Sequence, residues 1–210
     1  MNPSKPGCTL EATRQQRPNT RSLAFLGEFF RTPRTTGAVL PSSSELGRLM
    51  VEWLDFENLH TLVEFGPGTG SFTHEIAERL KPGAKYLGLE INPSFAVHLR
   101  GMFPGFQFRE RSAAEVRLCP ELPGEASVDA IVSGLPWAVF SEHEQEEILQ
   151  AALSVLKSGG CFATFAYLQG LTLPAGRRFR KKLRGMFSSV ETSRVAWRNV
   201  PPAFVYRCRK

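Results

Sequence analysis

The most informative segment of this sequence is Thr61-Leu62-Val63-Glu64-Phe65-Gly66-Pro67-Gly68-Thr69-Gly70-Ser71. An apolar run over residues 61–65 stops abruptly at three glycines in alternate positions, Gly66, Gly68 and Gly70. The residues that follow repeat at helical spacing, and one face carries Phe72, Ile76, Ala77 and Leu80. This pattern predicts a buried strand, a tight glycine turn and a helix. Glycine suits the turn because it adopts positive φ and lets a ligand approach bare backbone.

The glycine turn is framed by two acidic residues, which indicate the kind of ligand it holds. A second predicted strand, over residues 84–89, ends in Glu90, and an acid there can accept both hydrogen bonds of a ribose diol. Glu64 precedes the turn and favours a cationic ligand over a pyrophosphate, while Pro67 removes one N–H that could face a phosphate. The combination resembles the S-adenosylmethionine site of class I methyltransferases. A nicotinamide cofactor, or an α/β domain without a ligand, is the alternative.

Composition places the chain of 210 residues among globular proteins large enough for one hydrophobic core. The four cysteines have neither CxxC nor Cys/His spacing, which predicts no metal site and no disulfide framework and fits a reducing cytosol. No apolar run reaches the roughly 18 residues of a membrane span, and no signal peptide is evident. We therefore expect a cytoplasmic protein, monomeric in solution, without a bound metal.

Charge is distributed unevenly along the chain. Residues 51–150 carry 7 basic and 16 acidic side chains, whereas residues 151–210 carry 12 basic and 1 acidic. Many of these cations fall within residues 177–184, interleaved with apolar side chains at helical spacing. This predicts a basic amphipathic helix that binds an anionic membrane or RNA; a solvated charged face without a partner is the alternative. The cations expected at the membrane are Arg177, Arg178, Lys181 and Lys182.

The N-terminal part of the chain divides into a tail and two predicted helices. Residues 1–20 are polar and are predicted to be a disordered tail. Residues 21–57 then supply an amphipathic helix and a second helix over residues 45–54. The first helix suits a membrane interface or, equally, packing on the core sheet. The interfacial residues expected on it are Phe29, Phe30 and Arg31. Ser43 near the second helix can face the cofactor carboxylate or act only as a helix cap.

The remainder of the chain alternates predicted strands with predicted helices. Further strands are predicted over residues 106–109, 128–132, 161–167, 190–198 and 203–208. Further helices are predicted over residues 93–102 and 141–157, the second with a capping box of Ser141 and Glu144. The predicted fold class is therefore α/β. Residues 58–210 form a Rossmann-like domain with a mostly parallel seven-stranded sheet and an antiparallel C-terminal hairpin.

A second motif, Ser133-Gly134-Leu135-Pro136-Trp137, follows the fourth predicted strand. A parallel sheet places it at the same carboxyl edge as the glycine turn. Its turn can present the backbone carbonyls of Ser133 and Leu135 to an amine and orient the lone pair of that amine. Trp137 can cover the site and meet a cation with its ring face, or it can be buried in the core beneath a tight turn. Tyr167 is a second aromatic that would favour a cationic product.

These motifs together resemble the bacterial phospholipid N-methyltransferases of the soluble, peripheral type, which convert phosphatidylethanolamine to phosphatidylcholine. The matching segments span nearly the whole chain after residue 20. They are Phe29-Phe30-Arg31, Gly37-Ala38-Val39-Leu40-Pro41-Ser42-Ser43, Glu64-Phe65-Gly66-Pro67-Gly68-Thr69-Gly70, Ser133-Gly134-Leu135-Pro136 and Asn199-Val200-Pro201-Pro202-Ala203. The resemblance implies a class I methyltransferase that uses S-adenosylmethionine and releases S-adenosylhomocysteine. It also implies peripheral association with the inner face of the plasma membrane.

The resemblance implies two sets of site residues. Those expected at the cofactor are Ser43, Glu64, Gly66, Gly68, Gly70, Glu90, Ile91, Ser112, Ala113 and Ser133. Those expected at the transferred methyl are Ser133, Gly134, Leu135 and Trp137. Glu115 either reaches the adenine amino group or points to solvent.

Enzymes that methylate adenine in rRNA are the main competing interpretation. They carry Asn-x-Pro-aromatic where this chain has Gly134, which lacks the side chain that would hold the base. Those enzymes also append a helical domain after the last strand. We expect no such domain here, because the last predicted strand reaches residue 208 and the sequence runs to Lys210. We therefore expect nucleic acid not to be the substrate. Two further alternatives stay open: methylation of the terminal amine of ornithine lipids, and a methyltransferase fold that binds nucleic acid without catalysis.

Overall fold

The computed structural model describes residues 42–122 and 124–210. The predicted tail over residues 1–20 lies outside this range. The predicted amphipathic helix with Phe29, Phe30 and Arg31 lies outside it as well, so the structure does not bear on the membrane role expected of these residues.

The described residues form an α/β fold built on one mixed sheet of seven strands. Its strands are β1 (Thr61–Phe65), β2 (Lys85–Leu89), β3 (Gln107–Arg109), β4 (Val128–Ser133), β5 (Leu156–Tyr167), β6 (Ser189–Thr192) and β7 (Ala203–Arg209). They lie in the order β3-β2-β1-β4-β5-β7-β6. The first five strands are mutually parallel, and β7 is antiparallel to both β5 and β6. The predicted parallel sheet with a C-terminal hairpin is confirmed.

Helices cover both faces of the sheet. The α-helices of the described range are α1 (Ser44–Val51), α2 (Ser71–Ala77), α3 (Pro93–Met102), α4 (Glu142–Val155) and α5 (Pro174–Met186). Buried side chains of α1, α2 and α3 pack with one face of the sheet, and those of α4 and α5 pack with the other. Such double coverage explains why β1 is buried along its whole length and therefore lacks polar alternation.

The capping residues predicted from the sequence are confirmed. The Ser43 hydroxyl accepts from the backbone N–H of Leu46 at 3.2 Å and begins α1. The Ser141 hydroxyl accepts from the N–H of Glu144 at 3.2 Å, and the Glu144 carboxylate accepts from the N–H of Ser141 at 2.8 Å. Both caps satisfy backbone N–H groups that have no partner within the helix.

The helix predicted over residues 45–54 ends early, at Val51. Two further predicted boundaries are wrong because of strand pairing. The helix predicted over residues 141–157 ends at Val155, because Leu156 pairs with Val128 and already belongs to β5. The strand predicted over residues 190–198 is limited to β6, and residues 193–202 form a loop. This loop contacts β7 through the bridge between Ala196 and Ala203 and through the N–H of Ser193, which donates to the Val205 carbonyl at 2.9 Å. Both errors have the same physical cause, since pairing with a distant strand decides where each element stops.

One edge of the sheet gathers the segments that the sequence singled out. It is where β1, β2 and β4 end and where β7 begins, because Ala203 pairs with Tyr167, the last residue of β5. We call it the carboxyl edge. Its loops are residues 66–70, 90–92, 134–141, 168–173 and 193–202.

Candidate functional site

The glycine turn after β1 has the backbone that its sequence predicts. Gly66, Gly68 and Gly70 have φ values of +65°, +57° and +87°, which side-chain-bearing residues rarely adopt. The N–H of Gly66 donates to the Leu89 carbonyl at 2.9 Å, which ties the turn to the end of β2. The turn is therefore a fixed cradle of bare backbone at the carboxyl edge.

Glu90 holds the glycine turn in place, a role that the sequence did not reveal. One carboxylate oxygen accepts from the N–H of Gly68 at 2.9 Å, and the other accepts from the N–H of Asn92 at 2.8 Å. Glu90 is buried, and this burial raises its pKa. A carboxylate has about four acceptor positions, so Glu90 can accept from a ligand as well. Recognition of a ribose diol by Glu90 stays a prediction.

Glu64 is a buried carboxylate with one satisfied oxygen. Its Oε2 accepts from the hydroxyls of Thr73 at 2.9 Å and Tyr86 at 2.6 Å. Its Oε1 has no hydrogen-bond partner among the described residues. Burial, together with the nearby charge of Glu90, raises the pKa of Glu64 to about 7. An unpaired buried carboxylate oxygen beside an open glycine cradle fits a ligand that brings positive charge to this edge.

The loop after β4 packs closely against the glycine turn. The N–H of Gly134 donates to the Phe65 carbonyl at 2.8 Å. A Cβ on Gly134 would lie 2.6 Å from the carbonyl oxygen of Gly66, and a Cβ on Gly66 would lie 2.8 Å from a methyl of Leu135. Residue 134 therefore cannot carry a side chain unless the two loops move apart.

The carbonyls predicted to hold an amine already have partners. The Ser133 carbonyl accepts from the Thr164 hydroxyl at 3.2 Å, and the Leu135 carbonyl accepts from the N–H of Trp137 at 3.0 Å. A carbonyl has two lone pairs, so the Leu135 carbonyl can take one further donor. Ser133 also pairs with Thr164 in the ladder between β4 and β5, so its carbonyl is engaged within the sheet and the expectation that it orients an amine is corrected.

Trp137 does not cover the site, and this prediction is wrong. It is only 4% exposed and belongs to the core between the sheet and α5. Its indole N–H donates to the Thr164 hydroxyl at 2.8 Å, and its ring stacks on Phe179 with centroids 5.0 Å apart. Phe179 covers one face of the indole ring, and the indole N–H is already bonded. Trp137 therefore supports the loop over residues 134–141 from the core side.

Tyr167 places a polar atom at the carboxyl edge. It ends β5 and packs with the same core cluster as α1 and α2. Its hydroxyl is buried without a hydrogen-bond partner in the described part of the chain, and burial raises its pKa. A buried phenol without a partner is costly, so this hydroxyl is poised to accept or donate a bond to a ligand.

The remaining predicted cofactor residues have mainly structural contacts. Ser43 caps α1, and its N–H donates to the Asn199 side chain at 3.0 Å. Ser112 caps the 3₁₀ helix Ala113–Leu118, in which Ala113 is buried. Glu115 completes that cap by accepting from the N–H of Ser112 at 3.3 Å, and contact with the adenine amino group stays a prediction. Ile91 is half-buried directly after Glu90.

The predicted membrane cations lie on α5, away from the glycine turn, and two of them are paired. Arg178 contacts Glu142 at 2.9 Å, and Lys182 contacts Glu146 at 3.3 Å. Lys182 also donates to the Glu142 carbonyl at 2.8 Å. Arg177 and Lys181 are exposed. The acidic helix α4 therefore neutralises part of the basic face of α5.

Comparison with known proteins shows the family. Residues 63–162, from β1 into β5, match the family described as a methyltransferase domain. The chain is also 31% identical over 188 residues to an ornithine lipid N-methyltransferase of Singulisphaera acidiphila. That alignment covers 88% of this chain and 94% of the relative. The chain belongs to the class I S-adenosylmethionine-dependent methyltransferases. Its cofactor is S-adenosylmethionine, and the unpaired Glu64 oxygen and the glycine cradle fit that cationic ligand.

Solved structures confirm the methyltransferase fold. An S-adenosylmethionine-dependent O-methyltransferase from Thermotoga maritima aligns with a TM-score of 0.62 and 17% identity over 87% of this chain and 71% of its own. A spermidine synthase bound to a transition-state analogue aligns with a TM-score of 0.63 and 13% identity over 80% of this chain and 61% of its own. At these identities the likeness concerns the fold alone.

Residues 42–122 and 124–210 of this methyltransferase contain neither a cluster of metal ligands nor a helix that could span a membrane. No group of three or more His, Cys, Asp or Glu side chains is arranged to hold a metal ion there. Within the same range, the helices are too short or too polar to cross a membrane.

Proposed function

We propose that this methyltransferase transfers methyl groups to the terminal amine of a membrane lipid. The contact between Gly134 and Gly66 carries this proposal, because it closes residue 134 to any side chain that could hold a nucleobase. An aliphatic amine needs no such side chain and can bond to backbone carbonyls or to the Tyr167 hydroxyl. The similarity to a lipid N-methyltransferase over most of both chains supports the same reading.

The relative favours the ornithine headgroup over ethanolamine. Phosphatidylethanolamine, converted towards phosphatidylcholine, is the substrate that the sequence motifs predict, whereas the relative is named for ornithine lipid. Both headgroups present a primary amine whose pKa is about 10, as in lysine. We therefore treat ornithine lipid as the first candidate and phosphatidylethanolamine as the second.

The residues at the carboxyl edge would serve binding and orientation. The cofactor brings a methyl group that its sulfonium already activates. Glu64 and the glycine turn would hold that cation, and Glu90 would fix the turn. The open lone pair of the Leu135 carbonyl would orient a neutral amine, so most of the rate gain would come from positioning. The proton that the amine sheds would leave with water.

We further propose that the enzyme works at an anionic membrane surface on the inner face of the plasma membrane. The basic helix α5 supports this proposal through exposed Arg177 and Lys181. The other two cations predicted at the membrane, Arg178 and Lys182, form ion pairs with acidic residues of α4. Each cation near an anionic bilayer contributes about 1 kcal/mol, reduced by salt.

A substrate panel tests the proposed function. Methyl-labelled cofactor is incubated with vesicles that contain ornithine lipid, with vesicles that contain phosphatidylethanolamine, and with ribosomal RNA. We expect label in at least one lipid and none in RNA. Label confined to RNA would refute the proposal. Absence of transfer to all three substrates, with cofactor binding intact, would favour a non-catalytic fold.

A further inference from the structure

The carboxyl edge carries exposed apolar side chains that no contact within the described fold explains. Trp197 is 68% exposed and Val200 is 62% exposed, both in the loop over residues 193–202. Leu173 and Val139 are exposed on neighbouring loops of the same edge. Trp197 is the most exposed large apolar residue of the described part of the chain. Several exposed apolar side chains on one edge indicate a surface that another molecule covers.

The loop over residues 193–202 is built to present Trp197 and Val200 rather than to let them fold inward. Asn199 between them is buried, and its side chain donates to the Pro201 carbonyl at 2.8 Å and accepts from the N–H of Ser43 at 3.0 Å. Ala196 is buried and pairs with Ala203 of β7. The loop is thus anchored at Ala196 and Asn199, and the residues between and beyond those anchors project outward.

The charge of this loop indicates what covers it. Residues 193–202 contain Arg194 and Arg198 and no acidic residue. Arg194 contacts Glu45 at 2.6 Å, whereas the side chain of Arg198 is exposed beside Trp197. Tryptophan next to arginine at a protein surface matches the boundary between lipid headgroups and acyl chains, where aromatic rings and cations both lie at low free energy.

We propose that the loop over residues 193–202 inserts Trp197 and Val200 into an anionic membrane and so brings the carboxyl edge onto the lipid surface. The proposal rests on the proposed function for its partner, since a lipid substrate requires the site to face the bilayer. It adds an apolar anchor around the mouth of the site to the charged helix α5. The loop, not only the basic helix, then sets the orientation of the enzyme on the membrane.

Vesicle binding by the full-length chain tests the anchor. Trp197→Ser and the double variant Trp197→Ser, Val200→Ser are compared with wild type on vesicles of phosphatidylcholine and phosphatidylglycerol. Met102→Ser is the matched control, because Met102 is 47% exposed but ends α3, which runs from the carboxyl edge to the opposite edge of the sheet. We expect binding to fall about tenfold or more in the single variant, from the aromatic area withdrawn from the bilayer. Trp197→Phe should retain most of the binding.

Intrinsic fluorescence supplies a second readout. Of the three tryptophans, Trp137 is buried and Trp53 is half-buried, so Trp197 should dominate the response to vesicles. Wild type should show a blue shift and protection from aqueous quencher on vesicle addition, and Trp197→Phe should lose this response while still binding. Protection of Trp197 before vesicles are added would show that residues 1–41 cover it, and would overturn the proposal.

Activity assays separate this proposal from the proposed function. Trp197→Ser should lose methyl transfer to vesicle lipid but keep transfer to a short-chain, monomeric amine lipid and keep cofactor affinity. Vesicle binding equal to wild type in Trp197→Ser would overturn the anchor. Tight binding of single-stranded RNA that Trp197→Ser abolishes would overturn it as well. Vesicle binding that requires Trp197, without any lipid methylation, would instead leave the anchor standing and refute the proposed substrate.

Discussion

At the scale of single residues, the contact between the loops after β1 and β4 is the tightest constraint in the site. We predict that Gly134→Ala lowers stability by about 1–3 kcal/mol and abolishes most methyl transfer, because its Cβ would meet the Gly66 carbonyl at 2.6 Å. Thermal unfolding and initial rates measure the two effects. Gly101→Ala is the control, since a Cβ there meets nothing within 4 Å. A fully active Gly134→Ala variant would show that the loops separate easily.

Glu64 makes the ligand-free protein sensitive to pH. Burial raises its pKa from 4.5 to about 7, so the folded state binds more protons than the unfolded state between those pH values. The free energy of unfolding should therefore fall as pH rises through this window, by on the order of 3 kcal/mol, and then level off. Chemical denaturation at several pH values measures this change, and Glu64→Gln should flatten it.

The same carboxylate predicts the pH dependence of cofactor binding. A cationic ligand beside Glu64 favours its charged form, so cofactor affinity should rise between pH 6 and pH 8, as expected for a group whose pKa is about 7. Calorimetry in buffers of different ionisation enthalpy would detect the released proton. An affinity that is independent of pH in wild type, or equally dependent on pH in Glu64→Gln, would contradict this role.

Glu90 has a structural task that changes its expected mutant phenotype. Gln cannot accept from both the Gly68 and Asn92 N–H groups, because one of its terminal atoms is a donor. Glu90→Gln should weaken cofactor binding by about 1.5–3 kcal/mol, the range for a hydrogen bond to a charged group. The cofactor affinity, measured by calorimetry, and the melting temperature should fall together. A loss of affinity without any loss of stability would mean that Glu90 acts on the ligand alone.

At the scale of elements, the pairing of α5 with α4 divides the basic helix into free and occupied cations. Lys181→Gln should weaken binding to anionic vesicles by up to about 1 kcal/mol and reduce its salt dependence. Arg178→Gln should change vesicle binding less, because Glu142 already offsets that charge. Co-sedimentation across a salt series compares the two variants directly. Equal effects of both substitutions would show that the Glu142 contact opens at the membrane.

Local sequence patterns predicted most elements because their causes are local. Helical spacing, the Ser141 and Glu144 cap and the glycine turn each depend on residues within a few positions. Trp137 was misplaced because its burial depends on Phe179 in α5 and on Thr164 in β5. The support that Glu90 gives to Gly68 was missed for the same reason. Contacts between distant segments decide side-chain roles, and one sequence does not display them.

At the scale of the whole molecule, the glycine cradle, the proposed amine site and the proposed membrane loop share the carboxyl edge of the sheet. The acidic segment over residues 51–150 contains the cradle, and the basic segment over residues 151–210 contains both proposed membrane contacts. On the proposed membrane, this separation would keep the cationic cofactor near carboxylates and turn the cationic surface towards anionic lipid. Such an arrangement is consistent with one orientation of the enzyme on the bilayer.

Tandem mass spectrometry of the lipid product tests directly whether the methyl group is transferred to the terminal amine of a membrane lipid. Wild-type protein is incubated with S-adenosylmethionine and vesicles that contain both ornithine lipid and phosphatidylethanolamine, with Gly134→Ala and Gly101→Ala alongside. The proposed function predicts added methyl groups on the terminal headgroup nitrogen of at least one lipid in wild type and Gly101→Ala, and almost none in Gly134→Ala. Methyl groups on acyl chains or on RNA alone, or unmodified lipid with cofactor bound, would contradict it.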